Sequence, residues 1–274
     1  MALGIEQVTE LNKKCLWMRQ QIAKYGYLSG RGHISSSLSL VETYVALYAT
    51  GYIDCEKIKQ QCEDRDKVIL SKGHAGLGLY LALIQAGMFD IAELDDFASI
   101  NGKFSTHPSC GAAPGLEMSA GSLGQGIGFA CGNAWASKMS GFENKVIAIV
   151  GDGELQEGSN WESIMFASQM KLDNLTILVD QNGLQISGRV DDIVKVSPLA
   201  AKFRDFGYHV AEVNGHDVSA IFDALCNKDD FGKPNVIILK TVKGKGISFM
   251  EDALGWHGKG LTKEQYEKAE RELV

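Results

Sequence analysis

The sequence predicts an α/β fold in which helices cover both faces of a doubly wound, mostly parallel sheet. Two observations support this class. Apolar runs of strand length recur along the chain, and most are followed by a glycine-containing break and a helical pattern. The clearest case spans residues 146–182, where apolar run, glycine break, helix and second apolar run predict a βαβ unit. Because a right-handed crossover places both strand ends at one edge of the sheet, we expect Asp152 and Asn182 to lie close together.

The first half of the chain alternates between helical and extended patterns. Apolar residues at three- and four-residue steps predict a helix over residues 5–22, and helical spacing returns over residues 38–47. Serines in the break between them are candidate helix N-caps. Further predictions are a buried strand over 66–70, a helix over 77–85 closed by Gly87, a short helix over 94–100, an irregular loop over 101–118 and a small-residue helix over 127–137.

The second half continues this alternation, with strands expected over residues 146–150 and 175–179 and a helix over about 157–170 between them. Later predictions are a polar loop over 183–196, helices over 199–206, 218–226 and 262–273, and strands over 208–213 and 235–239. The chain shows no repeat, low-complexity tract or clear linker. We therefore expect residues 1–274 to form one domain with a carboxyl-terminal extension from about residue 241.

Composition and charge exclude several classes of function. A net charge of −7 and a pI near 5.4 argue against binding to nucleic acid, because no basic block is present to neutralise phosphates. No apolar run approaches the roughly 18 residues of a membrane span, and the amino terminus lacks the pattern of a signal peptide. Six cysteines without a C-x-x-C pair indicate buried, reduced thiols, so we expect a cytoplasmic protein.

The residues that follow the two central strands predict a site for a metal ion and a diphosphate. Asp152 and Asn182 offer a carboxylate and an amide oxygen, which suit Mg²⁺ or Ca²⁺ and not zinc. Because Mg²⁺ takes six oxygens, a diphosphate would complete its shell, while Gly151 and Gly153 permit close approach of the backbone. Taken singly, Asp152 could be a helix N-cap and Asn182 a turn residue. The chain has neither a P-loop nor a G-x-G-x-x-G motif after a strand, which argues against ATP and NAD.

Four of the six histidines occupy glycine- or proline-rich breaks near the end of a strand or helix: His33, His74, His107 and His257. One such placement has little meaning, but four predict a polar rim that can give protons or hydrogen bonds to substrate oxygens. Their spacing does not match a zinc site. His209 lies within a strand pattern and His216 within a turn, so we expect structural roles for both.

Several segments resemble the amino-terminal, diphosphate-binding region of transketolases. GDGELQEGSNWE followed by VDQN is similar to the thiamine diphosphate motif of that family. GHISSS, LSKGHA, THPS, SAGSLGQGIG and GWHG accompany it in the order typical of the family, from about residue 7 to residue 260. The resemblance implies a thiamine diphosphate-binding fold. It also implies transfer of a two-carbon ketol unit from a ketose, expected to be phosphorylated, to an aldose.

The resemblance also implies roles for individual residues. Asp152 and Asn182 would bind Mg²⁺, or Ca²⁺, through their side chains, and Leu184 through its carbonyl. The positions implied to contact thiamine diphosphate are His74, Gly121, Leu123, Gly151, Gly153, Glu157 and Ile186. Of these, Leu123 and Ile186 would flank the rings of the cofactor, and Glu157 would meet the opposing subunit near the pyrimidine. His33, His107 and His257 match the histidines that line the substrate channel, and we expect them to be catalytic.

One part of the family's machinery is expected on another chain. The glutamate that activates the aminopyrimidine belongs to a second domain, which residues 1–274 do not include. The resemblance therefore implies a separate carboxyl-terminal subunit that carries the pyrimidine-binding domain, with two copies of each chain. GHISSS replaces the more usual GHPGAP, and Ser109 and Cys110 stand where an acidic residue is usual. An unusual sugar thus remains an alternative to a standard pentose phosphate.

Two other classes of function remain open at this point. The first is a subunit of another thiamine diphosphate enzyme, such as a 1-deoxyxylulose-5-phosphate synthase or the α subunit of a 2-oxo acid dehydrogenase. The full set of four histidines favours transketolase over these relatives. The second is a non-catalytic paralogue, and here the intact metal and histidine positions argue for a working site.

Overall fold

The computed structural model describes residues 3–227 and 232–274. Its strands are β1 (Lys67–Leu70), β2 (Val146–Gly151), β3 (Leu175–Gln181), β4 (Leu184–Gln185), β5 (Gly188–Arg189), β6 (His209–Asn214) and β7 (Asn235–Lys240). Five of them form one sheet in the order β1-β2-β3-β7-β6, and every neighbouring pair is parallel. β4 and β5 form a separate antiparallel pair. The predicted α/β class with a mostly parallel sheet is confirmed.

Helices pack on both faces of the five-stranded sheet. They are α1 (Ile5–Leu28), α2 (Ile34–Leu38), α3 (Val41–Tyr48), α4 (Cys55–Lys59), α5 (Gly76–Gln85), α6 (Gly126–Met139), α7 (Gly158–Gln169), α8 (Val190–Ile193), α9 (Leu199–Asp205), α10 (Val218–Cys226) and α11 (Lys263–Glu272). Within the described ranges, no helix combines the length and apolarity that crossing a bilayer requires.

The sheet lies between two apolar layers because alternate strand residues face opposite sides. In β2, Ile147 and Ile149 belong to the layer that packs with α1, α3 and α5, whereas Val146, Ala148 and Val150 belong to the layer that packs with α6 and α7. All five side chains are fully buried. Burying an aliphatic side chain of this kind contributes roughly 1.5–3 kcal/mol, so the apolar run that predicted the strand also anchors both layers.

Most predicted elements are present, and the differences have local causes. Residues 94–100 do not form the predicted helix, because Asp90 caps a 3₁₀ turn over Ile91–Leu94 and Ala98 takes a positive φ of 60°. The loop predicted over 183–196 contains β4, β5 and α8. The serines expected as caps lie inside α2, where His33 is the N-cap residue. All six cysteines are free, but Cys110 and Cys226 are exposed, so the expectation of burial is wrong for these two.

The parallel order brings the ends of four strands to one edge of the sheet. Lys72 follows β1, Asp152 follows β2, Asn182 follows β3 and Lys243 follows β7. In open α/β sheets ligands bind beyond this carboxyl edge. The fold therefore places the polar breaks of the sequence together although they are far apart along the chain.

Candidate functional site

A cleft of about 360 Å³ lies beyond the carboxyl edge of the sheet, and every predicted site residue lines it. These residues are His33, His74, His107, Gly121, Leu123, Gly151, Asp152, Gly153, Glu157, Asn182, Leu184, Ile186 and His257. A second cleft of about 280 Å³, between the end of α1 and residues 94–100, contains none of them. We therefore assign the candidate site to the first cleft.

Asp152 joins the ends of β2 and β3. Its side chain is 3% exposed, and one carboxylate oxygen accepts a hydrogen bond from the Gly153 N–H at 2.9 Å. The other oxygen accepts the Gly183 N–H at 2.7 Å, directly after Asn182. The predicted convergence of Asp152 and Asn182 is thus present, and the alternative role of Asp152 as an N-cap of the 3₁₀ turn Gly153–Gln156 is present as well.

The donor set at this point fits a hard cation such as Mg²⁺. Burial, together with the charge of Asp180, raises the pKa of Asp152 to about 6. No ion pair neutralises this carboxylate within residues 3–227 and 232–274, so a cation beside it would relieve an uncompensated buried charge. The Asn182 amide oxygen accepts the Leu184 N–H at 3.0 Å and faces the same loop. Among the described residues, no group of three or more His, Cys, Asp or Glu could hold a metal ion.

Two buried lysines at the cleft were missed by the sequence reasoning. Lys72 is 1% exposed and pairs with Asp180, while Lys243 is 3% exposed and contacts Nδ1 of His257 at 2.7 Å. Burial, reinforced by the positive charge of Lys72, lowers the pKa of Lys243 to about 8. In the part of the chain that the structure describes, no carboxylate pairs with Lys243. A buried ammonium that forms no ion pair is suited to a phosphate, and its position after a strand end was the available signal.

The four histidines predicted as a rim form one cluster. Ring centroids are 5.5 Å apart for His33 and His74, 5.4 Å for His33 and His107, 5.2 Å for His33 and His257, and 5.2 Å for His74 and His257. Nδ1 of His33 and the Ser36 hydroxyl are buried without a hydrogen-bond partner. These atoms can bind a polar ligand in the cleft.

The protonation of the cluster differs from the expectation of proton donors near neutral pH. Burial lowers the pKa of His33 to about 4 and the pKa of His257 to about 3. Burial also lowers the pKa of His74 and His107. The rings are therefore neutral at pH 7, where each can donate one hydrogen bond and accept another.

His216 lies outside the cleft and has the predicted structural role. Its Nδ1 contacts the Glu42 carboxylate at 3.1 Å, and its Nε2 accepts the Val242 N–H at 2.8 Å. Glu42 also forms a buried ion pair with Arg19 at 2.7 Å. This chain of contacts fixes the backbone immediately before Lys243.

We predict that acid weakens the fold partly through His33. Between pH 6.5 and about 4 the unfolded chain takes up a proton at His33 that the folded chain does not, so stability falls as the pH falls through this window. Between pH 7.5 and pH 5, a His33→Asn variant should lose roughly 1 kcal/mol less unfolding free energy than the wild type, allowing for partial exposure of the ring. Urea unfolding followed by circular dichroism measures this, with pH 7.5 as the reference for each protein. An equal loss in both proteins would contradict it.

Glu154 links three loop segments near the cleft through hydrogen bonds to its carboxylate. The sequence patterns did not identify this residue. Its buried carboxylate accepts hydrogen bonds from the Ser71 hydroxyl, the Gly124 N–H at 3.0 Å and the Gly151 N–H at 3.2 Å. A Cβ at Gly126 would lie 2.2 Å from Cβ of Ser71, so this glycine is needed for the close approach. The small residues at the start of α6 therefore contribute to packing, at Gly126, as well as to the cleft.

A parallel α/β sheet whose carboxyl edge brings together a buried carboxylate, an amide, buried lysines and neutral histidines is typical of proteins that bind an anionic ligand in this position. The model of the family described as "Transketolase, thiamine diphosphate binding domain" matches residues 21–273. The chain belongs to this family, and the resemblance stated from the motifs is confirmed.

Relatives and solved structures agree with this assignment. A 6-deoxy-6-sulfo-D-fructose transketolase subunit of a Clostridium species is 40% identical, covering 89% of each chain. An apulose-4-phosphate transketolase subunit of Actinobacillus succinogenes is 40% identical, covering 96% of each chain. The transketolase of Campylobacter jejuni is 28% identical with a TM-score of 0.87, covering 99% of this chain and 43% of that one. The chain thus spans about two fifths of the length of that transketolase and nearly the whole length of the two relatives named first.

Proposed function

We propose that this chain is the amino-terminal, diphosphate-binding subunit of a thiamine diphosphate-dependent transketolase, and that it transfers a ketol group only together with a second subunit. The observation that carries the proposal is the cleft itself. Its lining combines oxygen atoms and a buried ammonium that could hold a metal-bound diphosphate with a cluster of neutral histidines. Relatives of nearly the same length have names that describe them as transketolase subunits.

The residues at the strand ends would hold the cofactor and its metal. Asp152, Asn182 and the Leu184 carbonyl would bind Mg²⁺, with Ca²⁺ as a possible substitute, and Lys243 would neutralise the diphosphate. Leu123 and Ile186 are 38% and 72% exposed at the rim, where apolar side chains can contact the rings of the cofactor. When bound, thiamine diphosphate supplies a carbon nucleophile and an electron sink.

The histidine cluster would bind and orient the sugar. His33 and His107 are neutral at pH 7 and can form hydrogen bonds with sugar hydroxyls as donors or acceptors. Nδ1 of His257 accepts a hydrogen bond from the Lys243 ammonium, so its Nε2–H is left to donate to a hydroxyl oxygen. Thr106 Oγ1 lies 3.1 Å from Nδ1 of His107. Nε2 of His107 is therefore the nitrogen left to bind a sugar hydroxyl. A neutral ring beside a reacting hydroxyl can take up its proton and return it, which is the work of a general base and acid.

An apolar surface on α6 and α7 supports the need for a partner. Its residues face away from the core and are 37–73% exposed: Phe129, Trp135, Met139, Met165, Phe166 and Met170. Trp135 and Phe166 contact each other with ring centroids 6.3 Å apart. Glu157, the N-cap residue of α7, lines the cleft, so one helix contributes both to the apolar surface and to the site. Contiguous apolar patches of this kind mark protein interfaces, and we propose an assembly with two copies of each subunit.

We predict that a charge on this apolar surface prevents assembly. A Trp135→Glu variant should bind the second subunit at least about 10-fold more weakly, because a buried carboxylate without a partner opposes association. Analytical ultracentrifugation of the mixed subunits measures the effect. Ile100→Glu is the matched control, since Ile100 is 99% exposed and lies outside the apolar surface. Equal weakening by both substitutions, or by neither, would contradict the assignment.

The substrate is proposed to be a phosphorylated ketose, with an aldose as acceptor. Apulose-4-phosphate appears in the name of one relative and 6-deoxy-6-sulfo-D-fructose in that of another, so an anionic group at the far end of the sugar is common to both. Together with the unusual GHISSS segment, these names favour a less common sugar over a standard pentose phosphate. We also propose that residues 1–274 form one domain and, from the six free thiols, that the protein is cytoplasmic.

Reconstitution tests the proposal. The chain, the candidate carboxyl-terminal subunit and their mixture are each assayed for ketol transfer with thiamine diphosphate and Mg²⁺ over a panel of phosphorylated ketoses. We expect activity only in the mixture. Full activity of the chain alone would contradict the split enzyme. Pyruvate turnover without ketol transfer would favour another class of thiamine diphosphate enzyme.

A further inference from the structure

Asp180 is a fully buried carboxylate that lies two residues before Asn182 and does not line the cleft. Its Oδ1 accepts a hydrogen bond from the Thr241 hydroxyl. Its Oδ2 accepts hydrogen bonds from the Ser39 hydroxyl at 2.7 Å, from the Lys72 ammonium, and from Nδ2 of Asn182 at 3.1 Å. One side chain thus connects four separate segments at the carboxyl edge of the sheet.

The contact with Asn182 has a directional consequence. The Asp180 carboxylate already accepts hydrogen bonds from the Lys72 ammonium and from the Ser39 and Thr241 hydroxyls, so it offers acceptor oxygens and no donor to Asn182. The amide of Asn182 must therefore turn Nδ2 toward Asp180. Its Oδ1 then points to the other side, where it accepts the Leu184 N–H at 3.0 Å. A reversed amide would place two acceptors together at Asp180 and two donors together at Leu184.

We propose that Asp180 is a positioning residue that fixes the carbonyl oxygen of Asn182 toward the cation and so sets the affinity of the site for Mg²⁺. The inference rests on the proposed function, in which Asn182 is a metal ligand. Partners that orient metal ligands typically change metal affinity by 10- to 100-fold when they are removed. Lys72 forms an ion pair with Asp180, and this pair therefore acts on the site through Asn182 without contacting the metal.

Removing Asp180 alone would leave Lys72 as an unpaired buried cation, which endangers folding. Two double variants avoid this problem. Asp180→Val with Lys72→Met replaces the ion pair by apolar groups and deprives Asn182 of its acceptor. Asp180→Asn with Lys72→Met is the conservative counterpart, because an amide oxygen at position 180 can still accept the hydrogen bond from Asn182. Both double variants remove the same charges, so they differ in the hydrogen bonds that the side chain at position 180 can accept, of which the one from Asn182 is the only one that reaches a proposed metal ligand.

The test is a calorimetric titration of the full chain with Mg²⁺ at saturating thiamine diphosphate, together with the thermal midpoint of each protein. We expect Mg²⁺ to bind about 10- to 100-fold more weakly to the double variant with valine at position 180 than to the one with asparagine there. The two double variants should have similar thermal unfolding midpoints. If the two double variants bind Mg²⁺ with equal affinity while the wild type also binds it, the positioning role of Asp180 is overturned and the proposed function is not. No Mg²⁺ binding by the wild type would overturn both the proposed function and this inference.

Discussion

Replacement of Asp152 by alanine is expected to weaken Mg²⁺ binding at saturating thiamine diphosphate by at least about 100-fold, since loss of a ligand has a larger effect than loss of a residue that orients one. Asp152 has a buried carboxylate, and its two oxygens accept hydrogen bonds from the Gly153 and Gly183 N–H groups. Within the described ranges Asp152 forms no ion pair, and Lys72 only partly offsets the burial of its charge, so a cation is its expected partner. Calorimetry of the chain with Mg²⁺ measures the effect.

The same substitution also removes an N-cap, so stability must be measured beside affinity. Loss of the cap hydrogen bonds lowers the stability of the metal-free chain, but loss of a buried carboxylate whose pKa is raised to about 6 increases it, so we expect the unfolding free energy to change by no more than about 1 kcal/mol. Asp192→Ala, at an exposed position on α8, is the matched control and should change neither quantity. A loss of stability with unchanged Mg²⁺ binding would show that Asp152 is only a cap.

Replacement of Lys243 by methionine is expected to separate cofactor binding from stability. Affinity for thiamine diphosphate should fall by roughly 10- to 100-fold, the equivalent of one charged hydrogen bond, while affinity for unphosphorylated thiamine stays the same. Because burial lowers the pKa of Lys243 to about 8, the empty folded chain holds this charge unfavourably. The variant should therefore be at least as stable as the wild type without ligand.

Lys245→Met is the control for this prediction. Lys245 lies two residues away, keeps 39% of its side chain exposed and pairs with Glu251 at 3.1 Å. Its replacement should leave the affinity for thiamine diphosphate within about 2-fold of the wild type, as expected for an exposed ion pair. Equal losses of affinity in both variants would indicate a general effect of charge and not a contact at Lys243.

The position of Asp152 and Asn182 could be predicted because it follows from chain topology. A βαβ unit fixes which strand ends are neighbours, and the apolar runs of β2 and β3 identify the strands. The histidine cluster could be predicted for a related reason. Each of the four histidines lies in a glycine- or proline-rich break, and the fold brings these breaks together at the carboxyl edge of the sheet. Sequence patterns therefore locate residues that lie at the ends of regular elements.

Lys72, Lys243, Glu154 and Asp180 could not be predicted in the same way. Lysine, aspartate and glutamate are mostly exposed, so burial of these four depends on partners that are remote in sequence. Lys72 and Asp180, for example, are 108 positions apart. The missed 3₁₀ turn at Ile91–Leu94 has a different cause, because its Asp90 cap competes with the apolar spacing that suggested a helix over 94–100.

The most direct test of the account is a comparison of ligands on the isolated full chain. Thiamine diphosphate, thiamine and inorganic diphosphate are titrated by calorimetry with and without Mg²⁺. If the metal and diphosphate site belongs to this chain, thiamine diphosphate and diphosphate bind only when Mg²⁺ is present, and thiamine binds weakly under both conditions. Binding of thiamine diphosphate that is independent of Mg²⁺, or equal to that of thiamine, would contradict the account.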